Sequence, residues 1–231
     1  QFAGLRTDHE LNPIGEPMMF YCRLPADYLP DPLSCLITGI TPQRANQQGY
    51  CEAEFIARIH HAFSEPGTCI LGYNNIRFDD EFTRYTLYRN YFDPYAYSWQ
   101  NGNSRWDLLD VVRMTRALRP DGIEWPVDAE GKPTNRLELI TKANGITHEA
   151  AHDALSDVEA LIDVTRLIKA KQPQLYNYLL KVRNKKEVQA LVNMDDKKPF
   201  VYASGRYENE WNKITVAFPI APAPNSNVLV Y

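Results

Sequence analysis

Cysteine is scarce: four residues in 231, at Cys22, Cys35, Cys51 and Cys69, and no two form a Cys-x-x-Cys pair. That spacing excludes the common zinc-binding frameworks. The four lie in apolar segments, so they are expected to be buried free thiols in a reducing compartment, which points to the cytoplasm. No apolar run approaches the roughly 18 residues of a membrane span, and no signal-peptide core is visible. Positive charge is not in excess either. The 25 Lys and Arg face 29 Asp and Glu, a formal net charge of −4. A protein that coats nucleic acid usually shows a basic surplus, so bulk charge argues against general coating. It leaves room for an enzyme that grips a strand in one groove and neutralises phosphates with bound cations. Internal repeats and low-complexity segments are absent.

What is present suits a packed core: 44% of residues are apolar and 12% aromatic. Residues 2–7 and 18–22 read as two strands joined by the polar turn 8–17. Phe55, Ile56, Ile59 and Phe63 give 52–63 helical period. Residues 68–72 form a short apolar run that suits a buried strand. Residues 78–92 read as a helix with Phe78, Phe82, Tyr85 and Phe92 on one face. A further helix is expected over 106–116, capped by Asp107, and another over 136–144, ended by Gly145. The strongest helix runs from 154 to 171 and stops at Gln172-Pro173. Beyond it, 175–190 reads as a basic helix and 199–231 as strands. The expectation is an α/β layered domain over 1–172 and a second, incomplete domain over 173–231. Opening on Gln1 and closing on the strand-like 227–231, the chain is expected to be a piece of a longer one.

Two segments carry chemistry. In the first, 152–157, Asp157 sits on the edge of the apolar stripe of Ala154, Val158, Leu161, Ile162, Thr165 and Ile168. A carboxylate there needs a hydrogen bond, an arginine or a cation to offset its burial. His152 lies five positions earlier, roughly 140° around a continuous helix, so it is placed in the loop before the helix. There it either meets solvent or reaches the same cavity. In the second, 73–81, a strand ends and a helix begins with Asp79, Asp80 and Glu81 in its first turn. Capping and the helix dipole account for such acids. They do not account for Asn75, four residues before Asp79.

Together, Asn75-Ile76-Arg77-Phe78-Asp79 and His152-Asp153-Ala154-Leu155-Ser156-Asp157 resemble two motifs of the DEDDh exonuclease superfamily. The helix at 136–146 and the loop Ile37-Thr38-Gly39-Ile40-Thr41 fit the same pattern. Gly72 to Asp80, the aromatic tract from Tyr88 to Gln100, and Ser104 to Asp110 are similar to the bacterial exonuclease I branch. So are Ala117 to Pro120 and Thr141 to Ile146. The likeness covers nearly all of 1–200 and weakens after Tyr207.

The resemblance implies an RNase H-like mixed sheet with flanking helices, followed by the start of an SH3-like β domain. It implies a 3′→5′ exonuclease that degrades single-stranded DNA to mononucleotides in DNA repair. Two divalent cations, Mg²⁺, would be held by Asp79, Asp157 and an upstream Asp-x-Glu, with His152 as the base that takes the water's proton. Asn75 would contact the terminal nucleotide. Arg119, Tyr178 and Lys198 match a basic ridge that binds the acidic C-terminal tail of single-stranded DNA-binding protein. The protein is expected to be a monomer and to bind no membrane.

The Asp-x-Glu motif belongs on a strand before residue 1. Asp8-His9-Glu10 and Asp128-Ala129-Glu130 have the spacing but lie in polar loops. The chain alone is therefore expected to bind metal poorly and to be inactive. Trp106 and Asp107 are read as structural. The aromatic tract is either a base-stacking platform or ordinary packing. Two other readings share the motifs: an RNA-trimming exonuclease, and a catalytically dead scaffold that binds DNA or the tail peptide.

Overall fold

The structure is a computed structural model that describes residues 1–147, 154–224 and 227–231. Two short strands open it: β1 (Phe2–Gly4) and β2 (Met18–Phe20) pair antiparallel, Phe2 opposite Phe20. α1 (Pro32–Thr38) and α2 (Pro42–Gln48) each begin on proline, whose missing N–H is harmless there. Asp31 and Thr41 cap them by accepting the N–H of Leu33 and Arg44. The Ile37 to Thr41 stretch is the junction between these helices, and Gly39, at φ 67°, closes the first.

α3 (Glu52–Ser64) leads to β3 (Cys69–Gly72), and α4 (Asp79–Arg89) follows. β4 (Ser104–Asp107) then pairs parallel with β3, Leu71 opposite Trp106. α5 (Leu108–Leu118), α6 (Leu137–Ala143) and α7 (Ala154–Lys171) complete this part. Trp106 thus sits on a strand rather than in the expected helix. Asp107 ends that strand and does cap α5, accepting the N–H of Leu109. Gly145, at φ 66°, follows α6 as expected.

The core is continuous from β4 through α5, α6 and α7: Trp106, Leu108, Val112, Ile140, Val164 and Ile168 are buried together. The chain then continues into α8 (Pro173–Val182), and Tyr176 and Leu179 of that helix join the same core. Trp106 meets Tyr176 edge-on at 5.3 Å between ring centroids. Gln172-Pro173 ends a helix, as the sequence indicates, but the core runs past it. The expected helix over 175–190 is divided: Asn184 caps a separate α9 (Lys185–Leu191). Beyond lie two antiparallel hairpins, β5 (Phe200–Ala203) with β6 (Ile214–Ala217), and β7 (Pro219–Ala223) with β8 (Asn227–Val230).

Two expectations about burial are corrected. None of the cysteines is buried: Cys51 and Cys69 are exposed, and Cys22 and Cys35 are partly so, though all four are free thiols. The aromatic face of α4 is also turned outward. Phe82 and Tyr85 are exposed, while Leu87 is the apolar residue that α4 buries. Among the described residues, no helix is long and apolar enough to cross a membrane.

Candidate active site

The β1–β2 and β3–β4 pairs are separate two-stranded sheets. Among the described residues no main-chain hydrogen bond joins β1 to β3; Arg6, beyond β1, donates to Thr68 Oγ1 just before β3 and to the Ala62 carbonyl of α3. Each of these strands therefore has one edge without a partner strand. Phe2 and Ala3 from β1 and Ile70 to Gly72 from β3 line one cavity of about 1180 Å³. Its walls are Phe55, Ile56 and Ile59 of α3 and Val158 and Leu161 of α7. Small-molecule clefts span roughly 300–1,000 Å³, so the space exceeds what such a ligand needs.

Asp79 and Asp157, far apart in sequence, both line this cavity. Asp157 stands in the first turn of α7, with Ala154, Val158 and Leu161 of the same helix facing the same space. Asp79 opens α4. The residue is exposed and lines the cavity. Desolvation there pushes it above the usual carboxylate range, its own main-chain N–H pulls it part of the way back, and the Asp80 and Asp107 charges add to the rise. Among the described residues Asp79 has no ion pair. Nearby, Asp80 pairs with Arg105, and Asp110, whose charge acts on Asp107, pairs with Arg77 and Arg113.

This is the electrostatic setting a cation relieves, and carboxylate oxygens are the donors hard divalent ions take. The residues fit such an ion in kind but not in number. Among the described residues no group of three or more His, Cys, Asp or Glu is close enough to hold a metal. His152 lies outside the described residues.

Asn75 is buried at 4% exposure. With its amide nitrogen toward the two carbonyls, it donates to Gly72 at 3.2 Å and Trp106 at 3.3 Å. Its own carbonyl accepts the N–H of Phe78 and Asp80. The side chain expected to contact the terminal nucleotide also meets the ends of β3 and β4. Sequence reasoning missed this bracing role, because nothing in the motif shows that β4 runs beside β3.

The two Asp-x-Glu look-alikes are turn formers. Asp8 accepts the N–H of Glu10 and Asn12, and Glu10 pairs with Lys169. Asp128 accepts the N–H of Glu130 and Lys132, and Glu130 pairs with Lys132. Asp128 also lines the cavity, and its Oδ1 accepts both turn N–H groups.

Arg119, Tyr178 and Lys198 are all exposed. Arg119 follows α5 and Tyr178 lies on α8, which packs against it; Lys198 pairs with Asp196. Along the aromatic tract Tyr88, Tyr91, Tyr95 and Trp99 are exposed, whereas Tyr97 is buried. Arg84 lies over the Tyr95 ring at 5.7 Å.

Asp79 and Asp157 line one cavity that also reaches β1 and β3, each a strand of a two-stranded sheet, and the chain belongs to the exonuclease (RNase T) family, which matches over residues 1–165. Within it, the chain is 54% identical to exodeoxyribonuclease I of Haemophilus influenzae, over all of this chain and 49% of that protein. Escherichia coli exonuclease I in complex with a dA16 oligonucleotide superposes with a TM-score of 0.96 at 53% identity, over 99% of this chain and 49% of that one. An ExoI/SSB-Ct complex matches with a TM-score of 0.94 at 52% identity, over 99% of this chain and 50% of that one. The chain spans about half the length of the relatives it matches.

Proposed function

We propose that the protein containing this chain is a metal-dependent 3′→5′ exonuclease that releases mononucleotides from single-stranded DNA during DNA repair. The observation that carries this reading is the placement of Asp79 and Asp157 in one cavity. The family match and the relative bound to dA16 support the class of reaction and substrate.

The open edges of β1 and β3 are the place for one more strand, supplied from upstream and bearing the Asp-x-Glu pair. With it, the site would hold two Mg²⁺ ions on carboxylate oxygens. When bound, these supply positive charge to the scissile phosphate and its attacking water. Asp79 and Asp157 provide two of the carboxylates. His152 takes the proton from the water. Asn75 holds the Asp79 turn in place. The hairpins from Phe200 onward begin an SH3-like domain, while residues 1–172 supply the nuclease layer. Arg119, Tyr178 and Lys198 form part of a ridge for the acidic tail of single-stranded DNA-binding protein, in line with the ExoI/SSB-Ct complex. The enzyme works as a monomer in the cytoplasm.

The exposed aromatics favour stacking over packing. Base–aromatic stacking contributes about 1–3 kcal/mol per base. Trp99→Ala is expected to weaken binding of a short oligonucleotide by about 5- to 150-fold with the melting temperature unchanged. Fluorescence anisotropy measures this; unchanged affinity would remove Trp99 from the DNA path.

The reading as a whole is tested with the full-length protein on 3′-labelled single-stranded DNA and RNA, with Mg²⁺ or EDTA. DNA should be shortened from its 3′ end, RNA spared, EDTA should stop the reaction, and His152→Ala should slow it about a hundredfold. Cleavage that persists in EDTA refutes the mechanism. Preferential RNA trimming moves the chain to the RNA branch of the superfamily.

A further inference from the structure

The last three residues of β4 each grip the turn that carries Asp79. Arg105 pairs with Asp80. The Trp106 carbonyl receives the Asn75 amide. Asp107, only 3% exposed, accepts the main-chain N–H of Asn74 at 2.8 Å, of Ile76 at 3.4 Å and of Leu109 at 3.0 Å. We propose that Asp107 is a positioning residue for Asp79: it pins the 74–76 turn to the end of β4 and so fixes where the Asp79 carboxylate stands in the cavity. The inference rests on the reading of Asp79 as a metal ligand.

Capping α5 requires only the Leu109 contact, and a neutral Ser, Thr or Asn does that work. The other two bonds reach across the sheet to a segment some thirty residues earlier. Burying a carboxylate is costly unless several donors meet it, and desolvation indeed raises Asp107 while the Asn74 N–H offsets it. Asn74 stands in the left-handed region at φ 63°, which asparagine adopts more readily than most L-residues, and the Asp107 contact fixes its N–H there. The turn also has no slack, because a Cβ on Gly72 would lie 2.6 Å from the Asn75 Cβ. From Asn75 the constraint passes on through its carbonyl, which accepts the N–H of Phe78 at 3.3 Å and of Asp80 at 2.9 Å, one on each side of Asp79. A ligand placed this way has its orientation set by outer-shell groups, whose loss typically costs about 10- to 100-fold in metal affinity.

The test uses the full-length protein with Mn²⁺ as probe, titrated by electron paramagnetic resonance. It is paired with amide hydrogen exchange and thermal melts on Asp107→Ala, Asp107→Asn and Asp79→Asn. In folded Asp107→Ala, Mn²⁺ binding should weaken about 10- to 100-fold, and the Asn74 and Ile76 amides should exchange faster. Asp107→Asn keeps one acceptor oxygen, so it should recover most of the affinity and remain only a few-fold weaker. Should the alanine variant not fold, the asparagine variant decides. Mn²⁺ affinity equal to that of the unsubstituted protein, in either folded variant, overturns the positioning role even if the melting temperature falls. If Asp79→Asn also binds Mn²⁺ normally, the ligand reading fails and takes this proposal with it. If Asp79→Asn loses Mn²⁺ while the Asp107 variants keep it, only this proposal fails.

Discussion

Asp79→Asn or Asp157→Asn in the full-length protein is expected to slow release of the 3′ nucleotide roughly a thousandfold, about 4 kcal/mol of transition-state stabilisation. Asparagine keeps the shape and one acceptor oxygen but removes the charge that a divalent ion requires. Because the two acids line one cavity and the proposed function has them serve one site, the double variant should be hardly worse than either single variant. Single-turnover cleavage at saturating metal reads this directly. Small losses that multiply in the double variant would mean two independent structural acids. A pH dependence accompanies the effect. Burial raises Asp79 above the ordinary carboxylate range, so protons compete with the cation at higher pH than they do at an ordinary aspartate. Metal affinity should fall as pH is lowered through that raised value and return as pH rises past it.

The second large effect concerns the gap between β1 and β3. Extending the chain upstream by the strand that fits between them should stabilise it by about 5 kcal/mol, from two or three newly buried apolar side chains together with paired strand edges. For a domain of this size that is roughly 10–20 °C in melting temperature. The same extension should raise Mn²⁺ affinity, because among the described residues no group of three or more His, Cys, Asp or Glu is placed to hold a metal. Calorimetry of the two lengths in parallel measures both. Equal melting temperatures would show that the cavity between Phe2 and Ile70 is not a strand slot.

Much of the layout was legible because periodicity and punctuation agree. The α3 and α7 stripes, the Pro173 stop and the Gly145 end all follow from short-range rules. The shared cavity of Asp79 and Asp157 is not written in either segment alone: Asp157 at the edge of an apolar stripe and Asp79 after a strand only single each acid out. β4 was missed because four residues of strand run directly into a helix at Asp107, and the helical period of α5 masks them. The division of 175–190 escaped notice because Asn184 is a cap only when the chain turns there. Phe82 and Tyr85 of α4 were read as a helix face without knowledge of which way it turned. Hydrophobic spacing gives a face, but only the packing of Leu87 decides which face is inside. The bracing of Asn75 and Asp107 depends on the parallel register of β3 and β4, which no local pattern encodes.

The convergence of Asp79 and Asp157 on bound cations is tested most directly by an anomalous-scattering map of full-length crystals soaked in Mn²⁺. The expected result is density within about 2.0–2.6 Å of carboxylate oxygens of both residues. A cavity without such density, or metal bound only elsewhere, would contradict the account.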